Sequence, residues 1–415
     1  MKIGIVGLGY VGLPLAVAFC DAGHEVIGVD VEARVVEALS RGESHIEDVP
    51  PEALAGISDR FEATTRYADL AQVEAVIVAV PTPLTQNREP DLQPLIAAGT
   101  SLAGVLQEGQ LVVLESTTYP GTTRERLVPM LEESGLAADR DFFVAFSPER
   151  VDPGRTDHTL RTTPKVVGAL TPESLQRAVD LYELVCDNIV TVSTPEAAEL
   201  TKLLENVFRS VNIALVNELA ILCDRMGVDI WEVVDAAATK PYGFMSFMPG
   251  PGMGGHCLPV DPFYLAWRAR EFDQPTEFIE LAGVVNQRMP YFCVEKIGRA
   301  LNDHSRPIKG SRIAVLGVSY KAGVGDIRES PGLKIIRLLR DHGGDVVYHD
   351  DFVPDLTEFD LASEPLDDAL EGADCVVIVT AHPGLDVERV VASAPLVVDF
   401  RGVTRGIAAP NLVRL

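Results

Sequence analysis

The sequence predicts an α/β fold, two doubly wound parallel sheets joined by a long central helix. Three observations predict it. Short β-branched runs bounded by Gly, Pro or polar residues alternate with helical stretches up to Pro195. A second alternation of the same kind starts near Lys309. Between the two, Glu196 to Met226 contains neither Gly nor Pro and repeats its apolar residues at helical spacing. The expected divisions are 1–195, 196–300 and 301–415.

Composition narrows the function classes. A chain of 415 residues with 47% apolar content can build two or three domains with large cores. Its net charge of −26 argues against nucleic acid and against anionic membranes, both of which are bound through basic patches. No apolar run reaches the ~20 residues of a membrane-spanning helix. Lys2 precedes an apolar run as in a signal peptide, but the run's glycines are regularly spaced and no small-residue cleavage site follows. A cytoplasmic protein is expected. The six cysteines form no CxxC pair and the eight histidines show no ligand spacing, so neither disulfides nor a metal is expected.

The first element is "KIGIVGLGYVGLPLAVAFCDAGHEVIGVD": a strand, a glycine turn, a helix and a second strand. Gly7 allows the tight turn, Gly9 lets backbone approach a pyrophosphate, and Gly12 packs the helix close to the strand. Tyr10 and Val11 lie in the same turn. Asp30, ending the second strand, is placed to accept hydrogen bonds from an adenosine ribose and would repel a 2′-phosphate, so the expected cofactor is NAD. The strands "EAVIVAVPTP", "LVVLEST", "FFVAFSPER" and "PKVVGAL" follow. Ligands of such sheets sit at the carboxyl ends of strands, where Thr82, Thr117 and Glu149 stand.

After the long helix comes "KPYGFMSFMPGPGMGGHCLPVDP", too rich in Gly, Pro and Phe to be helical. The second α/β region runs through "RIAVLGV", "DVVYHD", "CVVIVTA" and "PLVVDF". Gly317 is not followed by a full GxGxxG, so this region is expected to bind a nucleotide or diphosphate other than the dinucleotide.

Taken in order, GxGxxG with Asp30, "STTYPGTT", "FSPER", "TKLLEN", "GMGGHCLPVD" and "SYKAGVGDIRES" resemble the UDP-glucose/GDP-mannose dehydrogenase family of nucleotide-sugar 6-dehydrogenases, over essentially the whole chain. The variants "AFSPERVDPGR" and "GPGMGGHCLPVDPFYLAWRAREF" are most similar to members acting on UDP-N-acetylglucosamine. The resemblance implies two Rossmann-like domains, a homodimer or higher homo-oligomer formed through the central helices, a UDP-sugar substrate, and oxidation of a primary alcohol to a carboxylate with two NAD+. The chemistry agrees: a second oxidation needs a thiolate to convert the aldehyde into a thiohemiacetal that can lose hydride again.

The resemblance makes Cys257 that nucleophile. The glycines before it are expected to let substrate approach the thiol, whereas Cys20, Cys186, Cys223, Cys293 and Cys375 lie in apolar contexts and are read as structural. Lys202 and Asn206 match "TKLxxN" and project from one helix face, where an ammonium and an amide can stabilise an oxyanion. Their apolar neighbours Leu203, Leu204, Val207 and Phe208 suggest limited exposure. The resemblance gives Asp261 the role of holding a water or orienting Lys202, Glu149 that of general base for thioester hydrolysis, and Thr117 that of orienting a water. Arg150 of "SPER" is assigned to the substrate. Lys321 and Arg328 match the nucleotide-site motif, and the loop from Tyr242 to Gly254 is expected to wrap the sugar and phosphates. His256 is read as a tuning or structural residue, not a catalytic base. One departure favours an N-acetylated sugar: UDP-glucose members carry a lysine before the motif aspartate, and here it is Val260.

Two other readings cover part of the pattern. A single-step dehydrogenase of the β-hydroxyacid type also joins such a domain to a lysine-bearing helix, but needs neither Cys257 nor a second α/β domain. A non-catalytic NAD or sugar-nucleotide sensor would not need Cys257, Lys202, Asn206 and Asp261 together.

Overall fold

The computed structural model describes all residues of the chain except 47, 86–88, 152–156, 256, 257 and 259. It divides into two compact units, Met1–Glu205 with Phe263–Gln274, and Asn206–Pro262 with Pro275–Leu415. The helix Pro195–Met226 passes from the first unit to the second.

The first unit holds an eight-stranded sheet of β1 (Lys2–Val6), β2 (Glu25–Val29), β3 (Phe61–Thr64), β4 (Ala75–Val78), β5 (Leu111–Leu114), β6 (Phe143–Phe146), β7 (Lys165–Ala169) and β8 (Ile189–Val192), in the order β3-β2-β1-β4-β5-β6-β7-β8. The order reverses between β1 and β4, which opens a crevice at the carboxyl ends of these strands. The central strands read as unbroken apolar runs because both faces are covered. Alternate side chains enter opposite cores: Val76 and Val78 join Val112, Leu114 and Val144, while Ala75 and Ile77 join Leu111, Val113 and Ala145. Each Val or Leu buried this way contributes about 1.5–3 kcal/mol.

One pairing departs from the expected parallel sheet. β7 runs antiparallel to β6, with Phe146 opposite Gly168 and Ala145 opposite Ala169. A parallel return needs a crossover, usually helical, and among the described residues between β6 and β7 there is no helix. The reversal puts Lys165, the first residue of β7, at the carboxyl ends of β5 and β6.

The second unit has a parallel sheet in the order Asp345–His349, Arg312–Leu316, Cys375–Ile378, Val397–Asp399, Leu412–Arg414. Its first turn repeats that of the first unit. Gly317 has φ +76°, and a Cβ there would lie 1.9 Å from the Thr380 carbonyl oxygen, as one on Gly7 (φ +93°) would lie 2.5 Å from that of Ala79. Asp350 accepts from the Val318 N–H at 2.7 Å, as Asp30 accepts from the Leu8 N–H at 2.9 Å. Asp30 is half-buried, however, whereas Asp350 is buried beneath His382, whose ring nitrogen lies 3.0 Å from its carboxylate, and Phe352 stacks on that ring.

By length and composition the helix Pro195–Met226 is apolar enough to cross a membrane. Its buried polar residues are nevertheless used within the protein: Glu199 accepts from Gly121 and Thr123, Asn206 donates to Asp261, and Asn217 donates to Asn286. A lipid-facing helix could not use them so.

Candidate active site

The glycine turn separates packing from binding. A Cβ on Gly12 would lie 1.8 Å from the Gly7 carbonyl oxygen, so Gly12 is fixed by the contact of helix and strand. A Cβ on Gly9 would meet nothing within 4 Å. The protein therefore leaves space at Gly9, beside Tyr10 and Val11 and at the N-terminus of helix Gly12–Asp21, where backbone N–H groups and the helix dipole favour a pyrophosphate. Asp30 takes one backbone N–H on each oxygen, from Leu8 and Glu32, which leaves each oxygen a further lone pair for a ribose hydroxyl. This cradle fits NAD.

Across the switch point, the Thr82 hydroxyl donates to the Thr117 carbonyl at 2.7 Å and the Ser116 hydroxyl to that of Val80 at 2.7 Å, stitching the ends of β4 and β5 together. Thr82 is buried and acts on Thr117, which is half-buried at the strand end. The "YPGTT" turn that follows is clamped from the long helix: the Glu199 carboxylate accepts from the Gly121 N–H (2.6 Å), the Thr123 N–H (2.8 Å) and the Thr123 hydroxyl (2.7 Å). Burial pushes this carboxyl up to about 7 despite its three donors.

Glu149 lies at the end of β6. Its Oε1 accepts from the N–H groups of Arg150 (2.8 Å) and Val151, and its Oε2 from the Lys165 ammonium at 3.2 Å. Lys165 also pairs with Glu115, which takes the Tyr182 hydroxyl at 3.1 Å. Burial alone would raise Glu149, but Lys165, the Val151 N–H and Lys202 outweigh it and hold the carboxylate below its ordinary range. Glu149 is thus an anion in an enclosed place. Arg150 is bound up with the protein itself, its guanidinium paired to Glu205 at 2.7 Å and donating to the Pro164 carbonyl.

On the long helix, Lys202 is half-buried and Asn206, one turn on, is buried and donates its amide to Asp261. Asp261 is itself buried and is the first residue of helix Asp261–Ala269, where the sequence suggested irregular loop. Of the apolar neighbours, Leu203 and Val207 are buried but Leu204 and Phe208 are exposed.

Cys257 and His256 lie outside the described residues. The glycines before them have protein partners: a Cβ on Gly254 would lie 2.8 Å from the Tyr320 Cβ and 2.9 Å from the Glu329 carbonyl oxygen, and one on Gly255 would lie 2.9 Å from the Tyr320 ring. Close packing on the "SYKAGVGDIRES" turn thus gives these glycines a structural reason beside the expected one. In that turn Lys321 is half-buried, and Arg328 is exposed and paired to Asp326 through two hydrogen-bonding nitrogens. Tyr242 is exposed, with Lys240 over its ring.

Sequence reasoning missed Glu115, Lys165 and Glu199. The available signal was a charged residue inside or beside an otherwise apolar run, above all a lysine in a chain with few of them.

Comparison with known proteins agrees with this geometry. Residues 1–186, 196–288 and 314–406 match, respectively, the NAD binding domain, the central domain and the UDP binding domain of the UDP-glucose/GDP-mannose dehydrogenase family. A UDP-N-acetyl-D-mannosamine dehydrogenase of Pyrococcus horikoshii is 35% identical over 98% of this chain and 100% of its own. A UDP-N-acetyl-D-glucosamine 6-dehydrogenase of Pseudomonas aeruginosa is 36% identical over 92% of this chain and 90% of its own. A solved structure described as a UDP-D-ManNAc dehydrogenase from Pyrococcus horikoshii superposes with a TM-score of 0.91 at 34% identity, covering 100% of this chain and 99% of that one. The chain therefore belongs to the UDP-glucose/GDP-mannose dehydrogenase family and is an NAD-dependent nucleotide-sugar dehydrogenase.

Proposed function

We propose that this enzyme oxidises the C6 primary alcohol of UDP-N-acetylglucosamine to the uronic acid, in two oxidations at one sugar carbon. The glycine turn at 7–12 and Asp30 would hold NAD+, which when bound would supply the hydride acceptor for each oxidation. Lys202 and Asn206 stabilise the oxyanion that forms at the sugar's C6 oxygen. Cys257 adds as thiolate to the aldehyde, giving a thiohemiacetal whose second oxidation leaves a thioester. Glu149 takes a proton from the water that hydrolyses this thioester, Thr117 orients that water, and the carboxylate product leaves with Cys257 free again. Asp261 acts through Asn206, whose amide it holds.

The observation that carries the choice of sugar is Val260. It stands where UDP-glucose members have a lysine, and it is only 9% exposed, so a cation there would be buried. The names of both curated relatives support an N-acetylated sugar over glucose, and that of the Pseudomonas aeruginosa relative supports UDP-N-acetylglucosamine. UDP-N-acetylmannosamine is the second reading, favoured by the full-length match to the Pyrococcus horikoshii enzyme.

The reading also makes the chain a homodimer through its central helices. It is supported by an apolar stripe on the long helix: Leu204, Phe208, Leu215, Leu219, Leu222 and Met226 are all exposed at helical spacing.

The test is a panel of UDP-N-acetylglucosamine, UDP-N-acetylmannosamine, UDP-N-acetylgalactosamine, UDP-glucose and GDP-mannose with NAD+, counting NADH formed per sugar. Two NADH, with fastest turnover of UDP-N-acetylglucosamine, is the expected result. One NADH overturns the thioester route, and faster turnover of UDP-glucose overturns the sugar.

A further inference from the structure

The first unit buries more charge beside Glu149 than an ion pair needs. From inside outward run Glu115, Lys165 and Glu149, with side chains 0%, 3% and 18% exposed. Lys165 touches both carboxyl groups, so one ammonium serves two acids; burial and the neighbouring Glu149 raise the Glu115 carboxyl, whereas Glu149 is held low. Replacing a buried ion pair by apolar residues of similar volume is often neutral or stabilising, so burial of such a group is weak evidence that it serves stability. The backbone gives a second observation. β7 is the strand that runs against its neighbour β6, and that reversal delivers its first residue, Lys165, to the edge where Glu115 leaves β5 and Glu149 follows β6.

Resting on the reading of Glu149 as the base for thioester hydrolysis, we propose that Lys165 is a positioning residue for Glu149, holding its carboxylate fixed and anionic, with Glu115 setting how much of the lysine's charge Glu149 receives. The fixing is geometric. Oε1 is held by two backbone N–H groups and Oε2 by Lys165, which leaves lone pairs on Oε2 for a water. The other groups that face the cluster are few. Tyr182 donates to Glu115 from helix Pro172–Tyr182, and burial raises the Cys186 thiol to about 11, so it stays uncharged. Lys202 acts on Glu149 from the long helix, and the neighbouring Arg150 is neutralised by Glu205. Burial opposes a charged Lys165, but Glu115 and Glu149 outweigh it and keep the ammonium protonated throughout the working range.

The consequence is an order of pH profiles. In Lys165→Met two buried carboxylates face each other without a cation, and one must hold a proton. In Glu115→Gln the whole charge of Lys165 falls on Glu149. In the double variant Glu149 has neither the cation nor the competing anion.

The test is kcat for uronate formation between about pH 3 and 9 in these three variants, with Glu149→Gln alongside and folding checked at each pH by thermal melting and NAD+ binding. An opposite charge this close moves a carboxyl by roughly 1–3 pH units. The acid limb is expected at lower pH than wild type in Glu115→Gln, at least about one unit higher in Lys165→Met, and between the latter and wild type in the double variant, with KM for the sugar nucleotide unchanged. If Lys165→Met fails to fold, Glu115→Gln and the double variant still fix the order on either side of wild type. Folded variants that all share the wild-type acid limb, in an enzyme that Glu149→Gln inactivates, overturn the proposal and leave the general-base reading standing. A Glu149→Gln enzyme that forms the acid at the wild-type rate overturns that reading, and the proposal with it.

Discussion

Alanine at Gly9 and at Gly12 should have opposite consequences, although the two glycines share one turn. At Gly12 the new methyl would sit 1.8 Å from the Gly7 carbonyl oxygen and 3.1 Å from the Ile5 side chain. Neither backbone can yield without parting the helix from β1. The penalty should reach or exceed the ~3 kcal/mol upper end for overpacked cores. In a domain of this size that lowers Tm by about 6–12 °C. At Gly9 the methyl meets no atom within 4 Å, so the fold should be unharmed, or stabilised by up to ~1 kcal/mol through the unfolded chain. The same methyl occupies the space left for the pyrophosphate. Losing one backbone hydrogen bond to a charged group there is worth about 1.5–3 kcal/mol, which raises KM for NAD+ roughly 10- to 100-fold. The assay is thermal melting of both variants without NAD+, beside steady-state kinetics with NAD+ varied. A Gly9→Ala enzyme with the wild-type KM would mean that the pyrophosphate does not cross Gly9. A Gly12→Ala protein that melts with wild type would refute the packing argument.

Three further outcomes are expected. Cys257→Ala should retain NAD+ binding but lose uronate formation by at least ~10²–10⁴-fold, measured as acid produced by the purified variant; acid formation near the wild-type rate would remove the covalent route. Asp30→Asn should narrow the preference for NAD+ over NADP+ by roughly tenfold in kcat/KM, since a like charge no longer faces the 2′-phosphate; an unchanged ratio would mean that Asp30 does not face the ribose. Glu199 has a folded-state value of about 7 against roughly 4.3 when unfolded, so between these limits the folded protein keeps a proton that the unfolded chain releases. Its contribution to stability therefore falls as pH rises from about 4.3 to 7, by roughly 4 kcal/mol in all, and is level above that. Urea unfolding of wild type and Glu199→Gln from pH 5 to 8 should show wild type losing ground to the variant; a difference flat in pH would refute the assignment.

What the sequence made legible was local. The strand, turn, helix and acid from Lys2 to Asp30 announce themselves within one short segment, and the long helix does so by lacking Gly and Pro. What it hid depends on distant partners. Glu199 is explained by Gly121 and Thr123, and Lys165 by Glu115 and Glu149, which only the sheet order brings together. The reversal of β7 left no mark in its own residues, since "KVVGA" suits either direction. Gly254 and Gly255 were legible as special, but their structural reason, the Tyr320 side chain, lies in another part of the second unit. The acids paired with Arg150 and Arg328, Glu205 and Asp326, were not legible as their partners either.

The paired turns at Gly7 and Gly317 carry a lesson about how duplicated folds part ways. The second turn retains the positive φ, the carbonyl packed against the glycine and the acid after the next strand, but Ser319 stands where Gly9 does and the helix that follows begins only at Pro331. What also differs is a cap of two rings, His382 and Phe352, arriving from loops after different strands and laid over the acid. In the second unit the acid is thus covered, whereas Asp30 stays half-buried. It follows that glycine spacing alone is a poor guide to which copy of such a fold holds a dinucleotide, and that the informative residues are those far along the chain which decide whether the acid is left in the open.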